Sequence, residues 1–131
     1  MRQNCPFCSV NKASEHEPLP SNKLAHIRLD GFPVSKGHLL IVPNRHAGDW
    51  FDLTGAEQQA VMELVEQGKR WLEERYQPDG YNIGMNCGAA AGQTISHMHC
   101  HLIPRYAGDQ PDPRGGVRWV IPEKADYWSG R

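Results

Sequence analysis

Residues 97–103, HMHCHLI, place three histidines at every second position, with apolar or small residues between them. A two-residue period belongs to an extended strand, on which successive side chains point to opposite faces. The reading is a strand over 96–103 in which His97, His99 and His101 share one open face. Met98, Cys100 and Leu102 take the other face and pack on a core. Rings two residues apart start roughly 6–7 Å from each other, from a rise of ~3.3 Å per residue. That is close enough to share one ligand. A chance polar face explains one such histidine better than three in strict alternation. Two chemistries remain: a zinc centre, because three neutral imidazoles and a water form a catalytic site, or a covalent nucleophile toward phosphorus.

The segment before the histidines favours phosphorus. CGAAAGQT (87–94) has little side-chain bulk, so its backbone can approach a ligand closely and its amides suit an anion. Upstream, LAHIRLD (24–30) and HLLIVP (38–43) read as strands separated by the turn-rich GFPVSKG, and YNIGMN (81–86) reads as a third. One long helix stands between them. Thr54 and Glu57 form a capping box. Ala60, Val61, Leu64, Val65, Trp71, Leu72 and Tyr76 recur at helical spacing, Gly68 weakens the middle or lets a neighbour approach closely, and Pro78 and Gly80 enforce the end. Residues 11–22 read as a loop. In the Pro- and Gly-rich tail from Gly108 only VRWVI (117–121) suggests order. The sum is an α+β fold: an antiparallel sheet with one main helix.

The chain of 131 residues fits one domain, 1–131, with a core over about 5–106 and a tail over about 108–131. A net charge of -1 with no basic stripe argues against nucleic acid. No apolar run approaches the ~20 residues of a membrane helix. The opening MRQNCPFCSV lacks a signal-peptide stretch, so a cytoplasmic location is expected.

The run GQTISHMHCHLIPR resembles the histidine triad (HIT) superfamily of nucleotide hydrolases and transferases, whose signature is His-φ-His-φ-His-φ-φ with φ apolar. LDGFPVSKGHLLIVPNRH and YNIGMN resemble the same family. The resemblance implies a HIT-like fold, a homodimer, and a nucleotidyl-histidine mechanism. His99 would attack the α-phosphorus, His101 would bind the phosphate oxygens, and His38 would orient the cluster. Asp30 would hold the ribose, Asn86 phosphate or ribose, and Gln93 and Thr94, with the loop amides near Gly92, the α-phosphate and the leaving-group side. Ile27, Leu29 and Phe32 would flank the base, unless they are core. Gln93 followed by Thr94 is similar to the branch that hydrolyses dinucleoside polyphosphates of the diadenosine type; an adenosine phosphoramidate is the alternative substrate. Arg114 and Arg118 in the tail could meet a polyphosphate, and Trp119 could stack on a base.

Cys5 and Cys8 form a CxxC knuckle without a thioredoxin-like surround. Tetrahedral zinc needs two further ligands, for which His46 and His97 are the natural candidates. The resemblance implies the same set: some members hold a structural zinc with Cys5, Cys8, His46 and His97 equivalents. Cys87 and Cys100 read as ordinary small residues. A triple-histidine zinc hydrolase and a nucleotide-binding scaffold are the readings of other classes.

Overall fold

A computed structural model describes residues 5–8 and 19–130. Most of the loop expected over 11–22 therefore lies outside the described residues. Four strands form one antiparallel sheet: β1 (Ala25–Leu29), β2 (Leu39–Pro43), β3 (Gly80–Gly84) and β4 (Cys100–Arg105), in the order β1-β2-β4-β3. The helix α1 (Gly55–Arg75) lies across one face, and a short helix α2 (Pro122–Ala125) stands in the tail. No helix among the described residues is long and apolar enough to cross a membrane.

Helix α1 starts where Thr54 caps it. The Thr54 hydroxyl accepts from the Glu57 amide, and the Glu57 carboxylate accepts from the Thr54 amide. Glu57 is buried and also receives two guanidinium bonds from Arg45, at 2.9 and 2.8 Å. Those bonds hold its carboxyl down at about 2. At the other end Tyr76 is the cap rather than part of the helix, and Gln77 turns the chain out at φ +46°.

The buried stripe Ala60, Val61, Leu64, Trp71 and Leu72 packs on Ala25, Ile27, Leu39, Ile41, Cys100 and Leu102. Gly68 lets the helix sit tight against the sheet. A Cβ there would lie 2.9 Å from Leu102 Cδ2 and 3.4 Å from Ile27 and Leu39. Ile27 is 2% exposed within this core, so it cannot flank a base, and Phe32 stands out at 90% exposure.

The second face of the sheet has two covers. Phe7, from the cysteine knuckle, packs on Leu40 and Val42. At the β3 edge the tail covers the sheet, with a 3-10 segment at Gly116–Val120 leading into α2. The order expected only at VRWVI thus extends through Ala125.

The expected strand over 96–103 begins at Cys100 instead, so His97 and His99 precede β4 rather than sit on it. The reason lies in the partner strand. β2 ends at Pro43, which has no N–H to offer a ladder. Its carbonyl is taken by the His97 side chain, at 2.9 Å from Nε2, and the Met98 amide turns away to the Ala47 carbonyl at 2.7 Å. The histidine face is not open either: His97 is 0% exposed and His99 9%.

Candidate active site

His99 is held by its neighbour. Its Nδ1 lies 2.9 Å from the His97 carbonyl oxygen. A carbonyl only accepts, so Nδ1 carries the proton and Nε2 keeps the lone pair. No hydrogen bond to His99 Nε2 occurs among the described residues. The ring is wedged edge-on between Phe7 and His101, with ring centres 5.0 and 5.2 Å away.

His101 receives its orientation from a chain of donors. The Val34 amide donates to His38 Nδ1 at 3.2 Å, so His38 carries its proton on Nε2. That proton faces His101 Nδ1 at 2.9 Å and Asp30 Oδ2 at 3.3 Å. His101 therefore accepts at Nδ1 and offers Nε2–H as a donor. Burial, with His99 and His38 beside it, pushes the His101 pKa down to about 4. Burial also lowers that of His38, against the pull of Asp30. His38 and His101 are thus held neutral, with His101 donating from Nε2.

Asp30, His38, His99 and His101 are thus brought together on one face of the antiparallel β2–β4 pair. Asp30 Oδ1 is engaged by the Phe32 amide at 2.8 Å. Asn86 joins the group from the other side, lining with His38 and His101 a cleft of about 760 Å³. The Gly/Ala loop behaves differently from expectation. Gln93 donates to the Gly48 carbonyl at 2.6 Å and the Ile95 carbonyl at 3.0 Å, while its Oε1 accepts from the Gly88 amide at 2.8 Å. The amides of Ala91, Gly92 and Gln93 close turns onto Gly88 and Ala89. Gly92 supplies the left-handed corner, at φ +94°. Gln93 and Gly92 therefore shape the loop, and exposed Thr94 is the loop side chain left open.

Arg114 and Arg118 do not face the site. Arg114 grips Asp112 at 3.0 and 2.9 Å and stacks on Trp128, whereas Arg118 donates to the Lys124 and Ala125 carbonyls and stacks on Tyr127. The tail spends both guanidiniums on its own fold. Trp119 does reach the cleft.

Cys5, Cys8, His46 and His97 converge beside His99, with all four ligand atoms within 4.8 Å of one another. His97 Nδ1 lies 3.3 Å from Cys5 Sγ, 3.6 Å from Cys8 Sγ and 3.2 Å from His46 Nδ1. One lone pair cannot satisfy three such neighbours. The separations match the edges of a tetrahedron around zinc, roughly 3.4–3.6 Å for Zn–N near 2.0–2.1 Å and Zn–S near 2.3 Å. The Pro43 carbonyl accepts from His97 Nε2, which fixes the tautomer that leaves Nδ1 free to ligate. The donor set fits the metal. The three triad histidines, by contrast, form no metal-competent group among the described residues, which removes the basis for a triple-histidine zinc centre. Cys100 lies on the core side, where burial pushes its thiol up to about 11.

Sequence reasoning did not single out Phe7. It stands between the two cysteines, touches the His97 and His99 rings, and carries the Arg28 guanidinium 5.0 Å over its own. The signal was its place inside CPFC: a residue between two ligands goes wherever the ligands go.

Comparison with known proteins agrees with this geometry. A family model described as HIT domain matches residues 12–108. A protein named AP-4-A phosphorylase from Mycobacterium tuberculosis is 34% identical over 107 residues, covering 79% of this chain and 55% of the relative. A bis(5'-adenosyl)-triphosphatase from Saccharomyces cerevisiae is 34% identical over 99 residues, covering 75% of this chain and 45% of the relative. The chain thus spans about half the length of these curated relatives. The crystal structure of a zinc-bound histidine triad family protein from Mycobacterium smegmatis superposes with a TM-score of 0.69 at 29% identity, covering 89% of this chain and 90% of that one. The protein belongs to the HIT family, and its sheet and helix are those of HIT-fold neighbours.

Proposed function

We infer that this protein hydrolyses a dinucleoside polyphosphate, of the diadenosine type, at the α-phosphate through a nucleotidyl-histidine intermediate. One observation carries the reading: His99 is locked at Nδ1 by a backbone carbonyl and open at Nε2, beside a neutral His101 that donates. His99 Nε2 attacks the α-phosphorus, and the bridging P–O electron pair leaves with the rest of the polyphosphate. The ring becomes cationic, and the His97 carbonyl stabilises its Nδ1–H. His101 Nε2–H supports the phosphoryl oxygens as charge develops. Water then cleaves the P–N bond, releasing a nucleoside monophosphate and a proton and restoring His99. Asp30 holds the ribose diol, and Thr94 the phosphates. The names of the relatives support an adenine dinucleotide over an adenosine phosphoramidate.

A structural zinc held by Cys5, Cys8, His46 and His97 completes the reading. It would fix the knuckle that carries Phe7. The active unit is a homodimer. β3 is an edge strand, and such an edge invites a second copy; sedimentation equilibrium checks it.

The test uses a nucleotide labelled at the α-phosphate, quenched in alkali. Acid-labile label on His99 is expected, and turnover without label overturns the mechanism. His99→Ala should lower kcat by several orders of magnitude, as for other covalent nucleophiles, while circular dichroism stays unchanged.

A further inference from the structure

The cleft beside His101 runs away from Asp30. In the strand order β1-β2-β4-β3, β4 separates the β1 side, where Asp30 follows Leu29, from the β3 side. The cleft starts at Val34 and His38 and extends over the β3 side. Its floor is β3 and β4, and its outer wall is the tail, with Val117, Trp119 and Val120 facing Asn82, Ile83 and Asn86. The match to the HIT domain ends at residue 108, so the wall is made by residues outside that match.

The charges of the cleft are already spent. Arg105 holds Asp109 through two bonds of 2.8 and 2.7 Å and donates to Asn82 Oδ1 at 2.7 Å. Arg114, from the same tail, is held by Asp112. Among the described residues that line the cleft, a phosphate chain finds no unpaired cation. An uncharged aromatic group finds a tryptophan 47% exposed with its Nε1–H turned back to the Arg114 carbonyl at 2.8 Å. It also finds the Asn86 amide, which makes no hydrogen bond among the described residues. Stacking surface plus amides is the chemistry that recognises a nucleoside. The volume, about 760 Å³, lies within the range of small-ligand sites.

We propose that this cleft seats the departing nucleoside of a two-nucleoside substrate, with Trp119 stacked on its base and Asn86 at its polar edge. The proposal rests on the hydrolase reading, since it places the transferred nucleotide on the Asp30 side and the leaving one on the tail side. The tail then acts as a selector. Substrates that end in a second nucleoside gain the stack, and those that end in a bare phosphate or an amine do not.

The experiment separates binding from turnover. In a His99→Ala background of the full chain, calorimetry gives the affinities of adenosine monophosphate and of diadenosine tetraphosphate. Adding Trp119→Ala should weaken the dinucleotide about tenfold, the loss of one base stack, and leave the mononucleotide unchanged; Trp119→Phe should retain most of the affinity. Val117→Trp, at a position 63% exposed, fills the cleft without touching the tail's internal bonds and should have the same effect as Trp119→Ala. Equal weakening of both ligands, or of neither, overturns the subsite. Label on wild-type His99 is scored apart. Its absence with a Trp119-dependent dinucleotide affinity sinks the hydrolase mechanism and spares the subsite; its presence with a Trp119-independent affinity does the reverse.

Discussion

At His101 the decisive fact is a proton that is kept away. His38 supplies the hydrogen bond to Nδ1, and burial disfavours the charged ring, so the fold prefers the neutral form down to about 4. An unfolded chain, with an ordinary histidine value of 6.5, takes up that proton earlier. Between those values the unfolded state binds more protons, so stability present above 6.5 is lost as the pH falls toward 4. Urea unfolding at pH 7.0 and pH 4.5 should show a larger loss for the wild type than for His101→Gln, which has no proton to gain. Equal losses would mean that His101 is not held neutral. The residue scale also marks what the sequence could not reveal. Gln93 has the right chemistry for a phosphate, yet its amide is consumed by Gly48, Ile95 and Gly88. Which way an amide points depends on how a loop closes, and a residue letter carries no such information.

Among the elements, α1 and β4 form the support of the site. The capping box at Thr54 and Glu57 was legible, because both partners lie three residues apart on the helix they begin. Thr54→Ala should cost about 1 kcal/mol of stability, read as a lower midpoint in denaturant with an unchanged slope. Gly68 was legible as a weak point or a place of close approach, but the neighbours that approach, Leu102, Ile27 and Leu39, are all at least 29 positions away and were not. Gly68→Val should destabilise by about 1–3 kcal/mol through overpacking. Because Leu102 adjoins His101, it should also lower kcat with KM little changed. A valine accepted without loss would show that the helix has slack against the sheet. The alternation of 97–103 was read as one strand because apolar spacing is all that a periodicity sees. The early end of the strand was set by Pro43 on a different strand, through the missing N–H.

For the molecule as a whole, the metal cluster was the long-range feature most open to reading. Cys5 and His97 are 92 positions apart and a CxxC alone is ambiguous, but the resemblance to zinc-holding HIT members implied the full set. The tail was the least open, since its order comes from contacts among Arg114, Arg118, Tyr127 and Trp128 that follow no period. Metal ligation is coupled to folding. Dialysis against a strong chelator should therefore lower Tm by several degrees, with recovery on adding zinc, and Cys8→Ser should start from the lower value and respond to neither. A Tm indifferent to both treatments would show that the four side chains hold no ion. His97 gives this cluster a reach beyond stability. Its side chain belongs to the thiol group, and its own carbonyl grips the ring of His99. On the proposed mechanism, an oxidant or a scarcity of zinc would accordingly disturb His99 from behind, one peptide away from the chemistry, without competing for the place of any nucleotide.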